Sequence, residues 1–481
     1  MPIFFVFTTL FLATILSIIL GKNIRHLEKI VIVSSIVMLF SAGYAFYNFI
    51  LNGQINFSSF FALDALSTFF FCLISLIGSA ASCYSIGYLR VEKTKGFVTD
   101  KKIKTFYILL ELFLLAMYVA VSVNNPVVAW IAIEATTLST AFLICFYEKP
   151  SSVEAAWKYL IINSIGLLLA FLGTMLFIAL AIKSGSGSSW LDWKNLLTNT
   201  SQIDPKIAKI AFIFILIGYG TKMGLFPMHT WLPDAHSKAP VPISSLLSGV
   251  LLSVAFFLIL RFKAVIDTIV EPSFSQNLFI LFGILSIIIS ALIILMQKNY
   301  KRLLAYSSIE HMGLVMLGFG FGGIGQFAAL LHILYHSLAK SILFLSSGNI
   351  FLKFGSTKIK NVNGALSLLP ITAPLFIIGF LGIVGLPPFG LFFTEFYIFS
   401  AGMAAYPIIV SSAIILLIFV FAGFLKQIST MILSKKPENG IIGEYNVWTT
   451  IPIITLTVIF ILVSLFLPEQ LKTLINLAIS K

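Results

Sequence analysis

Apolar runs of eighteen residues or more recur from one end of this 481-residue chain to the other, and no other feature restricts its fold so severely. A helix rises about 1.5 Å per residue and needs about 20 such residues to cross the hydrocarbon of a bilayer. The hydrophobic set makes up 59% of the chain and charged residues only 10%, whereas soluble domains run near about 25% charged. No aqueous fold could hide that much apolar surface. The sequence therefore predicts an all-α, polytopic membrane protein of about fourteen transmembrane helices.

The predicted spans lie near residues 3–20, 29–50, 61–86, 105–123, 127–147, 157–182, 207–226, 240–260, 277–296, 303–321, 326–350, 370–400, 405–425 and 448–467, with ends loose by about two to four residues. The first apolar stretch lacks a small-residue cleavage site and is followed by further spans, so it reads as a retained helix rather than a signal peptide. Cys72, Cys83 and Cys145 fall in apolar stretches without CxxC spacing and imply neither a disulfide framework nor a metal cluster.

The net charge of +13 reports topology rather than a nucleic-acid partner. Lys22, Arg25 and Lys29, the cations between 90 and 104, Lys149, Lys238, Lys298, Lys301, Arg302, Lys353, Lys358, Lys360, Lys426, Lys435 and Lys436 occupy alternate loops on one side. The opposite side has only Lys183, Lys194, Lys206, Lys209, Arg261, Lys263, Lys472 and Lys481. By the positive-inside rule the first loop is cytoplasmic and both termini lie outside.

Two spans are interrupted. The seventh contains Gly218, Gly220 and Gly224 before Pro227, and the twelfth contains Gly382, Gly385, Pro387, Pro388 and Gly390. Backbone groups freed by such breaks cannot face lipid, so both breaks should line protein or a wet cavity. The breaks lie five helices apart, and Glu134 with Glu310, Lys158 with Lys340, and Lys222 with Glu395 keep that interval, a separation of roughly 175 to 180 residues. An odd offset inverts the second copy relative to the first, so we expect two inverted five-helix repeats with broken helices 7 and 12. The expected divisions are 1–104 for helices 1 to 3, 105–262 for helices 4 to 8, 277–426 for helices 9 to 13, and 427–481 for helix 14 and the tail.

A charge at the bilayer centre costs about 2.5 to 3.5 kcal/mol on insertion scales, so membrane helices keep one only with a partner or a purpose. Glu134 and Lys222 are expected partners. Burial disfavours the charged form of a lysine and a neighbouring carboxylate favours it, so moving the carboxylate would toggle whether Lys222 holds a proton. A static ion pair that fixes packing is the competing reading. Lys158 lies one turn into its helix and could equally snorkel to the interface; its mate Lys340 argues for a buried role. His332, His336 and Lys340 recur every four residues on one helix face, a pattern suited to a proton relay. His332 and His336 also have metal-ligand spacing, but the HxxxH pattern lacks the glutamate of zincins, so no metal is assigned. Neutral hydrogen bonding between helices is the other alternative. Glu395, just past the twelfth-helix break, is taken as the second terminus of the path. Glu111, Asp64, and Glu310 with His311 are weaker candidates because each is expected near a span end.

There is no phosphate-cradling glycine motif, no Rossmann glycine run and no cysteine cluster for iron and sulfur. No cofactor is expected in this chain, so ion movement must follow a gradient or be driven by partners.

The run from Lys222 to Pro240, the segment Leu303 to Ser308 and Gly385-Leu386-Pro387-Pro388 resemble the antiporter-like subunits shared by respiratory complex I, Mrp-type cation/proton antiporters and energy-converting membrane hydrogenases. Trp130 to Thr137, Glu154 to Lys158, Ser308 to Gly313 and Pro387 to Glu395 resemble most the hydrogenase 4 component F branch. Glu395 also resembles the corresponding site of the M-type complex I subunit. The resemblance implies a fourteen-helix fold with Glu134 and Lys222 in one half-channel, a central lysine/histidine axis, and Glu395 at the other exit. It further implies flavin, iron-sulfur or nickel-iron centres in partner subunits, other antiporter-like subunits alongside, and protons, or else sodium, as the cargo. One departure stands out: many relatives of this kind carry a lysine or histidine on helix 8, whereas this chain has no ionisable residue between 240 and 260 and Ser253 about where the lysine would be expected. Ser245, Ser248 or Ser253, with water, would then have to bridge Lys222 and Lys340, or the path is interrupted. The expected function is a proton-translocating subunit of a multisubunit membrane oxidoreductase in a prokaryotic plasma membrane. The alternatives are a subunit of an Mrp-type sodium/proton antiporter and a structural spacer.

Overall fold

The computed structural model describes residues 2–20, 23–53, 55, 56, 58, 60–183, 192–198, 203–435 and 441–480. Lys22, Lys436 and Lys481, used above to assign topology, lie outside the described residues. Apart from a two-residue antiparallel ladder pairing Ile55 with Leu63 and Asn56 with Ala62, the regular structure is helical.

In chain order the α-helices are α1 (Pro2–Leu20), α2 (Ile24–Asn52), α3 (Ala65–Thr94), α4 (Asp100–Ser122), α5 (Pro126–Ile144), α6 (Pro150–Lys183), α7 (Trp193–Thr198), α8 (Pro205–Met223), α9 (Trp231–Lys238) and α10 (Val241–Leu246). They continue with α11 (Leu252–Ile269), α12 (Ser273–Ile294), α13 (Tyr300–Phe321), α14 (Ile324–Phe354), α15 (Ala365–Leu368), α16 (Thr372–Ile383), α17 (Gly390–Met403), α18 (Pro407–Ile432), α19 (Ile451–Leu465) and α20 (Glu469–Ile479). A π-helical turn, Leu247–Leu251, joins α10 to α11 without ending the rod.

Helix starts follow side-chain capping. Asn125 accepts from the amides of Val127 and Val128 ahead of α5, with Pro126 in the first turn where a missing N–H costs nothing. Asn299 and Asp204 do the same for α13 and α8. Asp64 has two tasks: its Oδ1 accepts from Ser67 N at 2.9 Å to cap α3, and its carboxylate takes both guanidinium nitrogens of Arg261 at 2.5 and 2.8 Å. Burial alone would raise the Asp64 carboxyl, but Arg261 and the Ser67 hydrogen bonds outweigh it and hold it below the usual carboxylate range.

Among the described residues, eleven helices are long and apolar enough to cross a membrane, and Ile3–Ile19 and Thr372–Ile383 are shorter apolar helices. The count of about fourteen is thus not reached on length and hydropathy alone. The breaks shorten some spans, and α13 carries Lys301, Arg302 and Glu310. The span Val241–Ile269 is enclosed along its whole apolar window, whereas α2 and α18 turn most of theirs outward. A helix apolar all round must lie inside the bundle or against lipid; Phe40, Phe142 and Ile408 on outer helices are among the exposed large side chains.

The packing order recurs along the chain. Helix α4 packs on α5, α5 on α6 and α6 on α8; later α12 packs on α13, α13 on α14, and α14 on both α16 and α17. The ion pairs follow the alternation of loops. Glu28 meets Arg90, Lys93 meets Asp100, Lys102 meets Glu148, and Asp234 meets Lys158 and Arg302, all within the cation-rich set of loops. Asp64 with Arg261 and Lys263 with Asp267 join residues of the opposite set.

Asp64 yields a test of this clasp. Asp64→Asn keeps an oxygen for the α3 cap and loses the charge, whereas Asp64→Ala loses both. We expect Asp64→Ala to lower stability further than Asp64→Asn by about 0.5 to 2 kcal/mol, the worth of a cap. Thermal unfolding of the detergent-solubilised chain would measure it, and equal midpoints for the two variants would contradict the double role.

Candidate functional site

Helix α8 ends at Met223 because Gly224 adopts a left-handed conformation, φ +82 and ψ 25. The chain then passes a single 3-10 turn, Met228–Thr230, before α9 resumes. Helix α16 likewise stops before Gly385, whose φ is +66, and α17 begins at Gly390. Both interrupted helices expected from the sequence are therefore present. Each break sits beside an ionisable side chain.

Lys222 occupies the last turn of α8 and is fully buried. Its Nζ donates to Tyr159 OH at 2.6 Å and to Thr137 Oγ1 at 2.9 Å, and lies 4.7 Å from the centroid of the Tyr159 ring. Tyr159 OH also lies 2.5 Å from Thr140 Oγ1. Gly166 on α6 lets α8 approach closely next to Lys222, since a Cβ there would meet the Thr221 side chain at 2.6 Å.

Glu134 is not in contact with Lys222. It is half-buried on α5, one Oε accepts from Ser164 Oγ at 3.3 Å, and the other is buried without a protein partner. Thr137, one turn further along α5, and Tyr159 stand where the carboxylate was expected. Sequence reasoning passed over both, because uncharged hydroxyls on apolar helices carry no signal of their own.

Lys158 also departs from expectation. Its side chain is 48% exposed and pairs with Glu154 at 2.6 Å and Asp234 at 3.5 Å. It reaches outward along the snorkelling route, and the inward position on α6 belongs to its neighbour Tyr159. Its sequence mate Lys340 is fully buried.

Around Lys340 the second set of groups is denser. Its Nζ donates to Leu304 O at 2.7 Å and to Ser307 Oγ. Glu310 and His311 are buried in the middle of α13, which starts at Tyr300, so they do not lie at a span end as the sequence suggested. The Glu310 carboxylate lies 3.6 Å from His311 Nε2. His311 Nδ1 and His332 Nε2 share a hydrogen bond of 3.0 Å, and His332 Nδ1 shares one of 2.9 Å with Thr394 Oγ1 on α17. His336 is buried beside them, its ring centroid 5.3 Å from that of His311, with neither nitrogen bonded to protein. Glu395 is half-buried on the next residue of α17. A Cβ at Gly385 would collide with its carboxylate, so the break lets backbone and acid approach. The face of His332, His336 and Lys340 read from the sequence is thus completed from two other helices by His311, Glu310 and Glu395.

Between the two sets lie hydroxyls and one histidine. Ser245 and Ser253 are buried without a protein partner, and Ser248 lies 2.7 Å from Ser308 Oγ. Ser337 and Ser341 on α14 are likewise unpaired. His236 on α9 is buried, stacks on Phe344 at 4.9 Å, and has both nitrogens unpaired. Glu111 is buried on α4, where Ser34 Oγ donates to it at 2.8 Å. A separate cavity of about 600 Å³ opens at Asp64, Arg261, Lys263 and Asp267, away from Lys222 and Lys340.

Residues 123–426 match the sequence profile of the family described as NADH:quinone oxidoreductase/Mrp antiporter, transmembrane. The chain belongs to this family. Among relatives of this antiporter-like subunit, the hydrogenase-4 component F homolog of Methylacidiphilum infernorum is 39% identical over 353 residues, covering 73% of this chain and 74% of the relative. The Na(+)/H(+) antiporter subunit A1 of Staphylococcus haemolyticus is 31% identical over 69% of this chain but only 41% of its own. In fold, the subunit matches a chain of the membrane-bound sulfane sulfur reductase, an archaeal respiratory membrane complex. That match has a TM-score of 0.87 and 22% identity and covers 100% of this chain and 96% of the other.

The close approach at the second break is testable. Gly385→Ala adds both a left-handed backbone penalty of about 1 to 2 kcal/mol and a clash with the Glu395 carboxylate. We expect it to destabilise the subunit, and Gly385→Ala to be milder in an Glu395→Ala background because only the backbone cost remains. Equal losses in the two backgrounds, by thermal unfolding, would show that the carboxylate does not press on Gly385.

Proposed function

We propose that this antiporter-like subunit moves protons across a prokaryotic plasma membrane within a multisubunit membrane oxidoreductase, a membrane-bound hydrogenase or NADH:quinone oxidoreductase-like complex. The observation that carries the reading is the run of buried groups from Lys340 through Ser307, Glu310, His311 and His332 to Thr394, ending at the half-buried Glu395. Neutral histidine accepts at one ring nitrogen and donates at the other, so a proton entering on one side can leave from the other. A structural role would be served as well by apolar side chains, since a buried charge set is costly unless it has a task.

In this reading Lys222 holds the proton of the first half, with Tyr159 and Thr137 as the groups that take and return it. Glu134 lies one turn from Thr137 on α5, so a displacement of α5 moves a carboxylate and a hydrogen-bond partner of the ammonium together. The hydroxyls of Ser245, Ser248 and Ser253, together with His236, supply polar lining for a water-borne step toward Lys340. Such a subunit takes its energy from partners. Flavin, iron-sulfur or nickel-iron centres belong to peripheral subunits, and other antiporter-like subunits lie beside it in the bilayer. The cation-rich loops face the cytoplasm and both termini face outward.

A second reading, an Mrp-type sodium/proton antiporter without electron transfer, draws on the similarity to Na(+)/H(+) antiporter subunit A1. Purifying the native assembly separates the two, because flavin, nickel or iron-sulfur absorbance accompanies only the first.

Lys222→Met keeps side-chain volume and removes the ammonium. In the assembly reconstituted into vesicles, protons moved per electron should fall by about tenfold or more, the scale of a lost proton-transfer group, while electron transfer continues. An unchanged ratio would end the assignment. Ser253→Lys tests a third possibility, a spacer whose path stops at α11: a gain in proton movement would favour that reading, and no gain or a loss favours an intact hydroxyl route.

A further inference from the structure

His311, His332 and Glu395 form the one group of this kind among the described residues: each can present a ligand atom, and the three atoms lie within 4.8 Å of one another. The group comes from α13, α14 and α17, and it is not the HxxxH pair of a single helix. We propose that these three side chains form a binding site for a divalent transition-metal ion of the zinc type, and that a bound ion closes the second half of the path.

The donor set is the first argument. Two imidazoles and a carboxylate suit zinc, with the remaining position left to water. The second is that one supporting contact of a metal site is already in place, at His332, while the buried Nε2 of His311 makes no hydrogen bond and is free to take one. A metal-bound imidazole ordinarily has its far nitrogen held by a carboxylate, hydroxyl or carbonyl, which fixes ring orientation. His332 presents Nε2 toward His311 while its Nδ1 is hydrogen-bonded to Thr394 Oγ1 at 2.9 Å. His311 presents Nδ1 toward His332 while its Nε2 lies 3.6 Å from the Glu310 carboxylate. The third argument is an unused donor. His336 is fully buried, its ring lies 5.3 Å from that of His311, and neither of its nitrogens has a protein partner. Glu395 is the one member of the three that is not fully buried.

The 3.0 Å His311–His332 contact holds a single shared hydrogen. An ion in that position occupies both facing nitrogens and removes the hand-off. Inhibition rests on the proton-conducting reading; binding does not, and the two are measured separately.

Zinc chloride titrated into the purified native assembly is the probe, with metal retained after desalting and zinc-edge X-ray absorption as readouts. We expect one ion per copy of this subunit that is lost on chelation, with two imidazoles and oxygen at about 2.0 to 2.2 Å. His332→Ala and Glu395→Gln should each weaken retention by about tenfold or more, while His26→Ala on α2, a histidine outside the group, should not. Glu395→Gln keeps size and guards against a variant that fails to fold. Retention unchanged in both variants, or absorption by oxygen ligands alone, would overturn the site. Binding at the site without a matching loss of proton movement would leave the site standing and count against the proton-conducting reading.

Discussion

The low-dielectric interior sets the terms for everything else in this molecule. Lys222, Lys340, Glu310, His311, His332 and His336 are all buried, and an ionisable group in that setting persists only with hydrogen-bonding partners or water beside it. The helix breaks, the inward hydroxyls and the enclosed span Val241–Ile269 follow from that demand. The outer helices face no such demand and are free to be almost wholly aliphatic and aromatic.

The two halves share a packing order yet solve the problem with different chemistry. Around Lys222 the ammonium is held by a phenol and a threonine and lies over an aromatic face. Around Lys340 it is held by a carbonyl and a serine, and a carboxylate and two imidazoles extend the line to α17, with His336 buried beside them. The first arrangement stores one charge behind neutral groups. The second brings several titratable groups within reach of their neighbours, and on that arrangement both the proposed proton path and the proposed metal site rest.

Much of the fold was legible in the sequence because its signals are local. Long apolar runs mark helices, and Gly with Pro in the middle of a run marks a break. Lys222, Lys340 and His332 were legible as buried sites, and Glu395 as a half-buried one, because an ionisable group inside an apolar run is conspicuous. Tyr159, Thr137 and His236 were not, since an uncharged polar residue on a membrane helix looks the same whether it faces lipid, backbone or a buried ammonium. Lys158 illustrates the converse: a cation inside a run is conspicuous, but about two turns from the start of α6 its flexible stem lets it leave the interior. The Glu134–Lys222 contact failed for a related reason, because sequence spacing along α5 does not reveal which residue of a turn stands nearest to another helix. Glu310 and His311 were underrated because they were weighed by nearness to the basic start of their span, whereas α13 begins at Tyr300 and sets them roughly three turns in, facing other helices.

The π-helical turn Leu247–Leu251 bears on how the missing cation of this span should be understood. A wider turn accommodates about one more residue than an α-helical turn, and one residue corresponds to roughly 100° of rotation about the axis. Side chains beyond the turn, Ser253 first among them, therefore point in a direction that uniform α-helical counting from Val241 would misassign. Two chains equal in length through this segment but differing in that local winding would offer different faces to the gap between Lys222 and Lys340, so letter-by-letter matching is a poor guide to which position substitutes for which.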